Sequence, residues 1–297
     1  MEILKECPAC GSENHSFIRK CKDFTVSAEL FSIVQCNACQ LLFTNPRPDI
    51  TEISRYYESK DYISHSNSDT GLFNKVYKLV RNYSIRQKLK LIEKHHQGAS
   101  KNLLDIGCGT GEFLNECKKA GWSVTGIEPS PKAREQAIKN WNLKVIDETG
   151  INQPLDQEKQ NVISMWHVLE HVHTLKDRLQ QVNRLLSDNG LFIVAVPNPT
   201  SWDAKNYQDY WAAYDVPRHL YHFKPEVLKK TVSNFGFKHI ASEPMPFDSY
   251  YVSLLSEKYM TGKSGIIGAL KSGLVSNIKA AKNAEAYSSV IYIFRKG

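Results

Sequence analysis

Three glycines at alternate positions, Gly107, Gly109 and Gly111, follow the apolar run Leu104-Asp105-Ile106 and precede a helical pattern. Glycine lets a backbone turn sharply and approach a ligand where any Cβ would collide, and the free N–H groups of a following helix favour an electron-rich ligand. The segment therefore reads as a nucleotide-cofactor cradle. Its G-x-G-x-G spacing, with Asp105 two residues ahead and Cys108 inside the turn, differs from the G-x-G-x-x-G dinucleotide fingerprint. A second apolar segment, Trp122 to Ile127, ends in Glu128, seventeen positions beyond Gly111. In open α/β sheets an acid at the tip of the second strand hydrogen-bonds the ribose hydroxyls of an adenosine cofactor. Strand, glycine turn, helix, strand and acid occur in that order here, which argues against a glycine-rich turn without a ligand.

The seven cysteines carry a different chemistry. Cys7-Pro8-Ala9-Cys10 and Cys36-Asn37-Ala38-Cys39 are two C-x-x-C knuckles 25 residues apart, a spacing that predicts a tetrahedral zinc site in a reducing compartment. A redox pair is the competing reading, but neither knuckle sits at a strand-to-helix junction. Cys21 reads as a bystander, and Cys108 and Cys117 as small structural residues.

Two further segments concentrate titratable groups. The first is Met165-Trp166-His167-Val168-Leu169-Glu170-His171-Val172-His173. Its His167-x-x-Glu170-His171 spacing is that of an H-x-x-E-H metalloprotease, yet it lies at a strand end directly downstream of a cofactor cradle, the wrong setting for that chemistry. The second runs from Pro197 through Trp202 and Tyr207–Tyr214 to Asp215-Val216-Pro217-Arg218-His219-Leu220-Tyr221-His222-Phe223. Long connections in compact domains are commonly functional. This one predicts an aromatic wall for an apolar acceptor, with Arg218 as a planar fork for a carboxylate or phosphate and His219 or His222 as proton acceptor. An aromatic plug with internally paired polar groups is the structural alternative.

The elements that must position these groups alternate as a doubly wound sheet should. Strands are expected at Asn102–Ile106, Trp122–Ile127, Lys144–Asp147, Asn161–Trp166, Leu191–Val196, from Phe237, and at Ser288–Phe294. The intervening helices span 110–120, 131 onward behind Ser130 as N-cap, 175–186 ending at Asn189-Gly190, and Pro225 to Gly236. Ahead of the core, Asn45-Pro46-Arg47-Pro48-Asp49 reads as a stiff linker, and Ile50–His96 as helices over the edge of the core, clearest at Val76, Leu79, Val80, Tyr83, Leu89 and Ile92. The expected division is a zinc ribbon over 1–45, a helical linker or cap over 46–100, and the cofactor domain over 101–297 with a helical insertion at about 246–286. Within that insertion Ile266, Ile267, Leu270, Leu274 and Ile278 form one helical stripe, and no acid falls between Lys258 and Lys282. Such a basic amphipathic helix near 263–282 is expected to pack on its own domain, with membrane-surface or anionic-substrate contact as the alternative.

Composition sets bounds on partners and compartment. The 297 residues carry a net charge of +7 and are 41% hydrophobic, and no apolar run approaches the roughly 20 residues of a membrane span. A cytoplasmic protein is expected. Residues 1–50 hold five basic and six acidic side chains, so the knuckles are not a basic grip on nucleic acid. The positive excess flanks the core, with nine basic against five acidic residues in 51–100 and thirteen against eight in 201–297.

The cradle with Asp105 and Glu128 resembles the class I S-adenosylmethionine (SAM) dependent methyltransferases. That resemblance implies a seven-stranded Rossmann-like α/β sheet of order 3-2-1-4-5-7-6 with the last strand antiparallel, SAM as donor and S-adenosylhomocysteine as product. It places Asp105, Gly107, Cys108, Gly109, Gly111, Glu128, Trp166 and His167 at the cofactor, with Trp166 and His167 beside the transferred methyl. His167 is then the first choice for a base and His219 the second, because a histidine pKa lies near the operating pH. Some SAM-dependent O-methyltransferases carry E-x-x-E-H and bind a divalent ion; His167 replaces the first Glu here, so Glu170 and His171 are expected to brace a helix rather than hold a metal. The ribbon and the Asp-Val-Pro-Arg-His-Leu-x-His-Phe run also resemble, more loosely, bacterial biosynthetic methyltransferases. The expected function is O-, N- or C-methylation of a small-molecule or lipid- or sugar-linked acceptor, with structural zinc at Cys7, Cys10, Cys36 and Cys39. The rivals are an RNA methyltransferase that uses the ribbon for binding, and a non-catalytic SAM- or partner-binding module.

Overall fold

A computed structural model describes residues 1–58, 72–152, 159–263 and 265–297, so part of the helical stretch expected before His96 lies outside the described residues. The chain builds two sheets. The first is antiparallel and joins β1 (His15–Lys22), β2 (Leu30–Cys36), β3 (Leu42–Thr44) and β9 (Tyr221–His222) in that order.

The second contains β4 (Asn102–Ile106), β5 (Ser123–Ile127), β6 (Lys144–Ile146), β7 (Gln160–Trp166), β8 (Leu186–Pro197), β10 (Phe237–Pro244) and β11 (Ser289–Lys296). Its order is β10-β11-β8-β7-β4-β5-β6, with β11 antiparallel to both neighbours and the strands from β8 to β6 parallel. This is the doubly wound order expected from the cradle, and it places the carboxyl ends of β4, β5 and β7 side by side. The near-continuous apolar run of β8, Leu191–Val196, follows from burial on both faces.

The covering helices are α1 (Leu72–His95), α2 (Glu112–Lys119), α3 (Pro131–Trp141), α4 (Leu175–Leu185), α5 (Trp202–Tyr207), α6 (Pro225–Ser233), α7 (Asp248–Thr261) and α8 (Ile266–Ala280). Local chemistry sets several of their ends. The Ser130 hydroxyl accepts the Ala133 N–H, Pro131 occupies the first turn, and Asn142 ends α3 in a left-handed conformation. Helix α4 stops earlier than expected, because β8 begins directly at Leu186, and Asn189 makes its left-handed turn (φ 59°) inside that strand. On one sheet face α1 and α2 contribute Ile85, Ile92, Phe113, Leu114 and Cys117 to the core. On the other, Leu179, Val182, Val227 and Leu228 of α4 and α6 share a core with Cys7, Cys36, Leu41 and Phe43.

That shared core corrects the expected linker between two separate units. Strand β3 pairs with β9, so the four-stranded sheet takes a strand from beyond residue 220. Leu41 and Phe43 are fully buried, and burial of each such side chain contributes about 1.5–3 kcal/mol. Arg47, expected in an extended linker, is 5% exposed and donates to the Tyr221 hydroxyl and the His173 carbonyl.

Candidate functional site

At the end of β4 the chain enters the glycine turn, and all three glycines adopt positive φ: 76° at Gly107, 54° at Gly109 and 82° at Gly111. Each is needed for a different reason. A Cβ on Gly107 would lie 2.3 Å from Val168, and one on Gly111 would lie 2.6 Å from Leu143 and 2.9 Å from Ala137. Gly109 has nothing within 4 Å, so its face of the turn is open. Cys108 is buried and a free thiol, pressed against Gly126 of β5, where a Cβ would meet its sulfur at 2.5 Å.

One acid fastens this turn, and a second locks the strand that leads into it. Glu128, at the tip of β5, accepts the Gly109 N–H at 2.8 Å and the Ser130 N–H at 2.9 Å, so both its oxygens hold backbone. Asp105 is 2% exposed and accepts the Ser164 hydroxyl at 2.6 Å from the neighbouring strand, with which it is in register. Burial pushes the Asp105 carboxyl up to about 7.

The end of β7 brings the second group of residues to the same edge. His167 leaves the strand at φ 57°, an uncommon conformation for a non-glycine residue, and a short 3₁₀ turn spans Leu169–His171. The α-helix expected to be braced by Glu170 and His171 does not start here, since α4 begins only at Leu175. His167 sits between two acids instead, with Nε2 3.0 Å from Asp248 of α7 and Nδ1 3.5 Å from Glu170. Burial opposes charge on this ring, yet its contacts with Asp248 and Glu170 carry the pKa up to about 10. For both acids burial favours the neutral form, and the imidazolium outweighs it, holding each below its ordinary value. Trp166 packs edge-on against Phe113, and Lys88 of α1 lies over its ring at 4.3 Å.

A methyltransferase-domain family profile matches residues 77–242, more than half of the chain. The chain belongs to this methyltransferase family. A ubiquinone biosynthesis O-methyltransferase of Pelagibacter ubique is 31% identical over 127 residues, 41% of this chain and 50% of that protein, so the match spans half the relative's length. The corresponding Rickettsia bellii protein is 25% identical over 199 residues, 59% of this chain and 79% of its own. Among solved structures, the SAH-bound magnesium protoporphyrin IX methyltransferase of Synechocystis shares the fold at 13% identity, with a TM-score of 0.55 over 84% of this chain and all of that one. The chain thus carries a class I SAM-dependent methyltransferase domain.

Several residues of this methyltransferase lie elsewhere than expected. Arg218 is 1% exposed, and its guanidinium is held by Asp215 at 2.6 Å and Asp23 at 3.0 Å and donates to the Tyr56 carbonyl. No fork is left for an acceptor anion. His222 is buried in β9 with Nε2 3.3 Å from the Thr44 hydroxyl of the adjacent strand β3, and burial holds its pKa well below the ordinary value. His219 is also buried; its Nδ1 donates to the Ala213 carbonyl at 2.9 Å, and its ring stands edge-on to His171 at 4.5 Å. The expected aromatic wall is the plug: Tyr207, Trp211, Tyr214, Tyr221 and Phe223 are each 4% exposed or less. The gap among Glu170, Trp211, His219 and Tyr221 has no room even for a water molecule, so it is not a small-molecule site.

Three participants escaped the sequence reading. Ser164 is a polar residue inside the apolar strand β7, a signal that was present. Asp248 and Lys88 reach the site from α7 and α1, and nothing local marks either one.

The four expected metal ligands do converge. The sulfurs of Cys7, Cys10, Cys36 and Cys39 lie within 4.8 Å of one another, and none is in a disulfide. Such a set fits a tetrahedral thiolate-bound ion. Cys21 is buried in β1, apart from this set.

Proposed function

We propose that this methyltransferase transfers a methyl group from SAM to an O, N or C atom of a small-molecule biosynthetic acceptor, free or carried on a lipid or sugar. The open face of Gly109, in a turn fastened by Glu128 at the end of a strand that Asp105 locks to β7, carries the donor half of the reading. The residues proposed to hold the cofactor are Asp105, Gly107, Cys108, Gly109, Gly111, Glu128, Trp166 and His167. The cofactor supplies a sulfonium-activated methyl, and the remaining tasks fall to this chain: alignment, exclusion of water and management of the acceptor proton. Alignment alone can supply about 7–11 kcal/mol.

The acceptor half centres on Trp166, His167 and Asp248. The Trp166 indole N–H is buried without a hydrogen-bond acceptor, which leaves a donor for a ligand. Held as an imidazolium between Asp248 and Glu170, His167 has no lone pair for an acceptor proton; it positions Asp248 and acts as a donor. Asp248, 25% exposed at the start of α7, is the proton acceptor in this reading, with His219 left as a buried second choice. The relatives named as ubiquinone biosynthesis O-methyltransferases support a small-molecule acceptor. Zinc at the four cysteines is structural in this reading, fixing the knuckles against the core.

The test is to incubate the protein with isotopically labelled SAM and a metabolite extract, with Asp248→Asn and His167→Ala alongside. The expected result is a labelled small molecule, heavier by one methyl, whose formation both variants slow. Label appearing in RNA instead, or in no product while SAM binds, would overturn the acceptor class.

A further inference from the structure

We propose that the outer face of α8 seats this protein on an anionic phospholipid surface, a docking role separate from methyl transfer. Helix α8 inverts the usual amphipathic arrangement of a surface helix. Its small residues face inward, with Ala269, Gly273, Ser276 and Ala280 all buried. They allow close approach to α7, since a Cβ on Gly273 would lie 2.6 Å from the Tyr250 ring and 2.9 Å from its Cα. Its large residues face outward: Ile266, Ile267, Leu270, Leu274 and Ile278 are between 50% and 84% exposed. Four of these recur every fourth position, so they line one side of a helix ~22 Å long at 1.5 Å per residue. A continuous stripe of this kind is a binding surface rather than the scatter of single apolar residues that soluble proteins tolerate.

Charge selects the occupant. Lys263, Lys271, Lys279 and Lys282 are exposed beside the stripe, and none has an ion-pair partner among the described residues. Helix α8 contains no acid. A second copy docked through the same face would set these lysines against their own equivalents, because a two-fold contact uses one patch twice. A bilayer with anionic headgroups neutralises them, while the aliphatic side chains enter the headgroup–acyl boundary. No described helix is long and apolar enough to cross a membrane, so the contact lies on the surface. The face is rigidly joined to the site, for the Ser249 hydroxyl in the first turn of α7 contacts the Gly273 carbonyl and Asn277, one residue from Asp248.

The test is co-sedimentation of the full chain with phosphatidylcholine vesicles, with and without phosphatidylglycerol. Two double variants accompany it, Ile267→Glu with Leu274→Glu and Lys271→Glu with Lys279→Glu. All four positions are exposed, and SAM affinity by calorimetry reports whether the fold is kept. The expected result is partition onto phosphatidylglycerol vesicles at least about tenfold above phosphatidylcholine alone, lost in both variants and weakened by salt. Equal partition onto the two vesicle types, or unchanged partition in the variants, overturns the proposal. So does a concentration-dependent dimer that the Ile267/Leu274 variant disperses, which would assign the face to a second copy. The readout is partition, so a different acceptor from the one proposed above would leave it unaffected.

Discussion

His167 is the residue on which local chemistry and tertiary contact meet. Its folded pKa of about 10 lies above the ordinary 6.5, so its contribution to stability is complete below about 6.5 and is lost as pH rises through about 10. Thermal melts across that window are expected to show the wild type losing stability on the alkaline side, and His167→Ala lacking that loss. The same variant is expected to lower kcat/KM by about 100-fold, the lower end of acid–base and positioning effects. Gly109 makes the complementary case, since its open face makes backbone strain and ligand contact the only penalties for a side chain. Valine at φ 54° costs about 1–3 kcal/mol of folded-state stability and its side chain would occupy the open face, so Gly109→Val is expected to melt lower and, at a temperature where it stays folded, to bind SAM roughly 10- to 100-fold more weakly in calorimetry. Equal affinity in wild type and variant would remove Gly109 from the cofactor site. At this scale the glycines, Asp105 and Glu128 were legible because their spacing is the signal, whereas the charge state of His167 depends on an acid 81 positions away.

Among the elements, the segment from Trp202 to Phe223 shows how composition can mislead. Aromatics with Arg and His on a long connection suit a substrate wall and a buried plug equally well, and only the third dimension chooses. Here Trp211 donates to Asp203 at 2.7 Å, and that buried acid also takes the Ser276 and Ser288 hydroxyls, so the segment ties together α5, α8 and the residue that leads into β11. Arg218 performs the same service between this segment, the loop after β1 and the turn at Tyr56. Arg218→Met is expected to destabilise the protein by about 3–5 kcal/mol in urea unfolding, because Asp23 remains buried without its countercharge. A loss under 1 kcal/mol would show that the pair is dispensable. The stripe on α8 was readable as a stripe, but its direction was not: helical periodicity says which residues share a side, and packing of Gly273 against Tyr250 decides which side turns inward.

For the whole molecule, the ribbon and the cofactor domain behave as one body through β3 and β9 and a shared core. Removal of metal from the cysteine site is therefore expected to act at a distance. A thiol-compatible chelator should lower the melting temperature of the entire chain and speed hydrogen exchange at residues 219–223, rather than unfold the first 45 residues alone; separate transitions would contradict this coupling. The sequence by itself determined the alternation of strands and helices, the two cysteine knuckles and the glycine turn, because each rests on near-neighbour spacing that the backbone must obey, and the sheet order followed from the family resemblance those spacings carry. Only the tertiary structure decided that Asp248 meets His167, that Arg218 is spent on Asp215 and Asp23, and that the Ile and Leu side chains of α8 face outward. Those outcomes depend on which surfaces come into contact after folding, and residues far apart in the chain carry no local signature of the neighbours that packing will assign them.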